Sequence, residues 1–130
     1  MKKLLLMSVI TLMLGTTSAY AKCEGGVEFQ GVINKHIYCI SSTTMTWWAA
    51  FAWCEFQGRE LASLSDACIE WNGANASNSM CPNLVGIGNK TGWVANAFSS
   101  SSASSINLST GSTITPNHLK NISYHSALCY

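Results

Sequence analysis

Apolar and polar positions along the chain fall into blocks whose period changes, and the changes mark its elements. A mainly apolar run, Leu4 to Leu14, follows Lys2 and Lys3 and gives way to the small-x-small sequence Ala19-Tyr20-Ala21. That order predicts a signal peptide over 1–21, and its apolar run of about eleven residues is well short of the roughly twenty that a spanning helix needs. Val27-Glu28-Phe29 and His36-Ile37-Tyr38-Cys39-Ile40, separated by Gly31 and Asn34-Lys35, predict two short strands and a turn. From Met45 to Gly58 the period becomes helical, because Trp47, Ala50, Phe51 and Cys54 share one face at i, i+3, i+4 and i+7. Thr46 is placed to cap the free amides of that helix, Met45 to pack across the cap, and Gly58 to end it in the left-handed conformation.

Leu61-Ala62-Ser63-Leu64 leads into a second helix, expected over Ser65 to Trp71 with Ser65 as its cap and Asp66 in its first turn. A Gly- and Asn-rich loop, Asn72 to Asn78, precedes Cys81-Pro82. Leu84-Val85-Gly86-Ile87 and Gly92-Trp93-Val94-Ala95 are expected as strands, and the serine tract Ser99 to Ser105 as an exposed low-complexity segment. Ile106 to Leu108 and Thr113 to Thr115 flank Ser109-Thr110-Gly111-Ser112 as a hairpin, and Tyr124 to Tyr130 closes the chain as a strand. Two helices near the front with strands elsewhere make an α+β pattern.

Composition narrows the function classes. Residues 22–130 are enough for one compact domain, and no linker divides them. Lys22, Lys35, Arg59, Lys90 and Lys120 nearly balance Glu24, Glu28, Glu55, Glu60, Asp66 and Glu70, and this balance excludes the concentrated basic surface that nucleic acid or anionic lipid requires. All the cysteines, Cys23, Cys39, Cys54, Cys68, Cys81 and Cys129, lie after the signal, which reads as a disulfide framework in an oxidising compartment, secreted or periplasmic. No C-x-x-C pair or His-Cys spacing suggests a metal site. Six cysteines allow about fifteen connectivities, and spacing alone does not choose among them.

The run Tyr38-Cys39-Ile40-Ser41, the segment Met45 to Cys54 and Gly58-Arg59-Glu60-Leu61-Ala62-Ser63-Leu64 together resemble the opening of a C-type lectin-like domain. That family has a strand ending in Tyr-Cys, a helix with a Thr-Trp type start carrying Ala and Cys, and then Gly-x-x-Leu-Ala-Ser. Ala127-Leu128-Cys129 looks like its closing strand, and Leu84 to Gly88 is similar in weakened form to its Trp-Ile-Gly-Leu strand. The resemblance implies two helices packed on small antiparallel sheets over 22–130. It also implies Cys54 bridged to Cys129 and Cys23 to Cys39, the longer form of the family, which leaves Cys68 for Cys81. That last pair departs from the family, whose second bridge lies in its ligand-bearing C-terminal half.

The family's calcium-dependent sugar site uses a Glu-Pro-Asn or Gln-Pro-Asp loop, because calcium needs several converging oxygens. Here the nearest run is Thr115-Pro116-Asn117, expected as an ordinary turn, and no acidic residue follows Glu70. The expectation is therefore a calcium-independent recognition module with no cofactor, no membrane anchor once the signal is removed, and a glycan or protein ligand outside the cytoplasm. Its contacts are expected from 93–125, through Trp93, Asn96, Asn117, His118, Asn121 and Tyr124, whose uncharged donors, acceptors and aromatic faces suit such a ligand. The tryptophans of the first helix are expected as core. A structural or adhesive subunit of a bacterial surface assembly is the alternative. No catalytic constellation is evident: Asp66, the one aspartate, falls at a helix start, Glu55, Glu60 and Glu70 lie on or beside helices, and bridged cysteines leave no thiol.

Overall fold

The computed structural model describes residues 21–68, 81–86, 88–97, 99–122 and 125–130, and within 114–118 only the backbone. The fold is α+β. In chain order it has β1 (Gly26–Gln30), β2 (Ile37–Met45), α1 (Trp47–Phe56), α2 (Leu64–Ala67), a 3₁₀ turn (Pro82–Leu84), β3 (Thr91–Ala97), β4 (Ser102–Asn107), β5 (Thr113–Leu119) and β6 (His125–Cys129).

The strands form one six-stranded sheet in the order β1-β2-β6-β3-β4-β5. This corrects the expectation of small antiparallel sheets. The last strand inserts between β2 and β3, antiparallel to β2 and parallel to β3 through Gly92 opposite Ser126 and Trp93 opposite Ala127, so the sheet is mixed and continuous. Close approach at that seam requires Gly92, since a Cβ there would lie 2.8 Å from the Cβ of Leu128.

Helix α1 forms as its pattern predicts. The Thr46 hydroxyl accepts from the Ala49 amide, Trp47, Ala50 and Cys54 are buried, and Gly58 takes a φ of 69° just past the end. The buried face lies against β6 and β3, where the Trp47 indole donates to the Val94 carbonyl at 2.7 Å. The disulfides are Cys23–Cys39, Cys54–Cys129 and Cys68–Cys81, the pairs that the resemblance implies. They fit an oxidising, extracytoplasmic compartment. No helix among the described residues is long and apolar enough to cross a membrane.

Four local expectations are corrected. The second helix is capped by Ser63, whose hydroxyl accepts from the Asp66 amide, and not by Ser65; it ends at Ala67, where Cys68 turns toward its bridge to Cys81. The rest of the expected helix, 69–71, and the loop 72–78 lie outside the described residues. The expected strand at Leu84 is a 3₁₀ turn, because Pro82 suits a first helical position and Gly86, at φ 77°, turns the chain back.

The serine tract divides. Ser99, Ser100 and Ser101 are exposed, but Ser102, Ser104 and Ser105 are buried in β4, flanked on both sides by strands. Their hydroxymethyl groups are small enough for close packing there. Finally, Thr115-Pro116-Asn117 belongs to β5. That strand pairs only with β4, and its register shifts between the Ser105–Ile114 and Ala103–His118 pairs, so Pro116 occurs at an irregularity of an edge strand, where its missing N–H is tolerated.

Candidate binding groove

Among the described side chains expected to meet a ligand, Asn121 is the one that lines a surface groove. Trp93 is fully buried and corrects that expectation: β3 lies between β6 and β4, so its indole faces the core, donates to the Met45 carbonyl at 2.8 Å and packs edge-on to His125. Asn96 is half-buried and its side-chain oxygen accepts from the Leu64 amide, which serves the start of α2. Asn117 and His118 are placed on β5 by their backbone, and Tyr124 lies outside the described residues.

The groove holding Asn121 is built where three segments converge: the start of α1, the turn before β4 and the turn after β5. Trp48, Ser100, Ser101, Leu119, Lys120 and Asn121 line about 300 Å³ of open space. Two backbone bonds fix the convergence. The Lys120 carbonyl accepts from the Trp47 amide, one of the donors that a helix start leaves unpaired, and the Lys120 amide donates to the Ser101 carbonyl.

Trp48 is 58% exposed, because it lies one position off the buried stripe of α1. Its ring is nonetheless held, edge-on to the buried Trp47 with centroids 4.8 Å apart. The Lys120 ammonium lies 4.2 Å from the Trp47 ring centroid and 5.1 Å from that of Trp48, and donates to the Ser99 carbonyl at 2.7 Å. Indole faces attract a cation through their negative quadrupole, and the aliphatic stem fills space beside the rings. The result is a fixed aromatic platform with hydroxyl and amide side chains around it.

Sequence reasoning missed Trp48 and Lys120. The signal for Trp48 was present, since the spacing that turns Trp47, Ala50, Phe51 and Cys54 inward turns its neighbour outward. Nothing local pointed to Lys120, which reaches the site from the far end of the chain.

A second groove, between α1 and the chain end, is lined by Phe51, Glu55, Glu60, Leu61 and Ala95. Just past the end of β6, the Tyr130 phenol donates to the Asp66 carboxylate, whose charge is the main reason that this phenol titrates above the usual tyrosine range; desolvation adds to the shift. All the cysteines are bridged, and among the described residues no three His, Cys, Asp or Glu side chains converge as metal ligands would. No family model matches the chain, and no curated protein matches it.

Proposed function

We propose that this chain is a C-type lectin-like domain used outside the cytoplasm as a calcium-independent recognition module, with the Trp48 groove as its contact with a glycan or protein ligand. The observation that carries this reading is an exposed indole held rigidly at a convergence of three segments. An exposed tryptophan gives up apolar contact with its own fold, and a platform fixed beforehand loses little conformational entropy when a ligand lies on it. The exposed serines and Asn121 supply uncharged hydrogen-bonding groups beside it. The lectin-like assignment is supported by the tie of the terminal strand to α1 through Cys54–Cys129 and by the N-terminal hairpin closed by Cys23–Cys39. We read the module as non-enzymatic, since the groove's described side chains include no carboxylate and no thiol.

Binding of the exported protein to a glycan and host-protein array tests the reading. Trp48→Ala is expected to abolish retained signals while costing about 1 kcal/mol of stability through the lost edge contact with Trp47. Changes in 22–31 are expected to leave binding intact. An array without a signal, or signals indifferent to Trp48→Ala, would overturn the assignment of this groove.

One observation favours the alternative of a structural or adhesive subunit of a surface assembly. Val27, Val32, Ile33 and Ile37 are each about half exposed on the β1–β2 hairpin, at an open sheet edge. Co-purification with a surface appendage, lost when Val27 and Ile37 are made polar, would support that role.

A further inference from the structure

Among the described residues, the buried Lys120 ammonium has no counter-charge. The residue is 4% exposed, and its ammonium, with three hydrogens to donate, has one hydrogen-bond acceptor among the described residues, the Ser99 carbonyl. The ion pairs among the described residues are Lys22–Glu24 and Arg59–Glu28, both remote in sequence from the groove. Asp66 is engaged with Ser63 and Tyr130, and Glu55 and Glu60 line the other groove.

The arrangement extends to half of the chain. After Glu70 the sequence has no aspartate or glutamate, while Lys90 and Lys120 remain. Lys90 donates to the carbonyls of Ser41 and Ser42. The Trp48 groove is lined by one cation, one exposed aromatic face, the aliphatic Leu119 and neutral hydroxyl and amide groups, with its cation fixed by two rings and a carbonyl.

Resting on the recognition reading above, we infer that the groove takes an acidic sugar, its carboxylate directed to Lys120 and the apolar face of its ring laid on Trp48. A charge-assisted hydrogen bond to a pre-positioned ammonium is stronger than a neutral one, and it gains further where water is partly excluded. The sugar is favoured over an acidic peptide because Ser100, Ser101 and Asn121 present short polar groups that match ring hydroxyls, while the apolar lining is limited to the Trp48 ring and Leu119, surfaces for the apolar face of a sugar.

Calorimetry on the exported protein would use a trimer of galacturonate, a sialyl trisaccharide, the methyl ester of each and a Glu-rich heptapeptide. At least one acidic sugar is expected to bind tenfold or more tighter than its ester, with affinity falling severalfold between 50 and 300 mM salt. Lys120→Met is expected to erase the preference for acid over ester, and Lys120→Arg to keep it. The shift of the Trp48 indole proton on ligand addition reports contact independently of affinity, and the far-ultraviolet dichroism of each variant reports its fold.

Esters that bind as tightly as the acids, with Trp48→Ala still abolishing binding, would overturn the acidic-sugar inference and leave the recognition groove standing. Preference for the peptide would do the same. Absence of any Trp48-dependent binding, here and on the array, would overturn both.

Discussion

The two sides of the sheet are built by different means. On one side β1, β2 and β6 are crossed by Cys23–Cys39 and Cys54–Cys129, and Arg59 binds Glu28 while its guanidinium also donates to the carbonyls of Lys22 and Ile37. On the other, β3, β4 and β5 carry neither a disulfide nor an acidic residue, and hold together through backbone ladders, small buried serines and one buried indole. They join the stapled side through the short parallel pairing of β3 with β6 and the bond from Trp47 to Val94. The cross-linked half has the make-up of a frame, and the half without cross-links is expected to depend on it for its order. The groove proposed for recognition straddles the two, with Trp48 from the frame and Lys120 from the chain just after β5.

Removing the tie between the chain end and α1 is the strongest way to break this contrast. Cys54→Ala with Cys129→Ala frees a loop of 75 residues, which the chain-entropy model values at about 4.5 kcal/mol, comparable with the whole net stability of a small domain. Urea unfolding followed by near-ultraviolet dichroism is expected to show both halves lost together. A variant that kept the burial of Trp93 would show instead that β3–β5 stand alone.

The hydrogen bond between the halves has a smaller effect. Trp47→Phe keeps an apolar ring on the buried face but leaves the Val94 carbonyl without its indole donor, at a cost of about 1–3 kcal/mol of stability, seen as a lower urea midpoint. An unchanged midpoint would place the coupling elsewhere, in the β3–β6 pairing and the bond from Trp93 to Met45.

The smallest effect is one of pH, and it belongs to the frame because the described carboxylates are there. The Tyr130 phenol titrates higher in the folded chain than in the unfolded one, chiefly through the Asp66 charge. The folded state thus holds this proton more tightly. Its contribution to stability is full below the ordinary tyrosine pKa of about 10 and is lost as pH rises through the folded value. Asp66→Asn is expected to bring the titration down, read from the phenolate absorbance near 295 nm; an unmoved titration would deny the contact.

Much of the frame was legible in the sequence. The helical spacing of Trp47, Ala50, Phe51 and Cys54, the Thr46 cap and the Gly58 stop are local signals, and each acts within a turn or two of where it is written. The β1–β2 hairpin and the closing strand were equally visible. The second half was less so. A serine tract reads as solvated loop until strands lie on both sides of it, and Thr115-Pro116-Asn117 reads as a turn until an irregular edge pairing accommodates the proline. Trp93 was expected at a binding surface, but the chain end returns beside β3 and places it in the interior.

The sequence alone was enough to mark which residues could form α1, that Trp47 shares its buried face, and that the six cysteines are suited to bridging in an oxidising compartment. Only the tertiary structure decided that β6 would divide the sheet, that half of the serines would be buried, and that Lys120 would reach the rings of Trp47 and Trp48. The reason is physical. Helix periodicity and capping depend on neighbours a few residues away, whereas strand order and the pairing of a cation with a distant aromatic face depend on contacts between segments far apart in the chain, which no local pattern encodes.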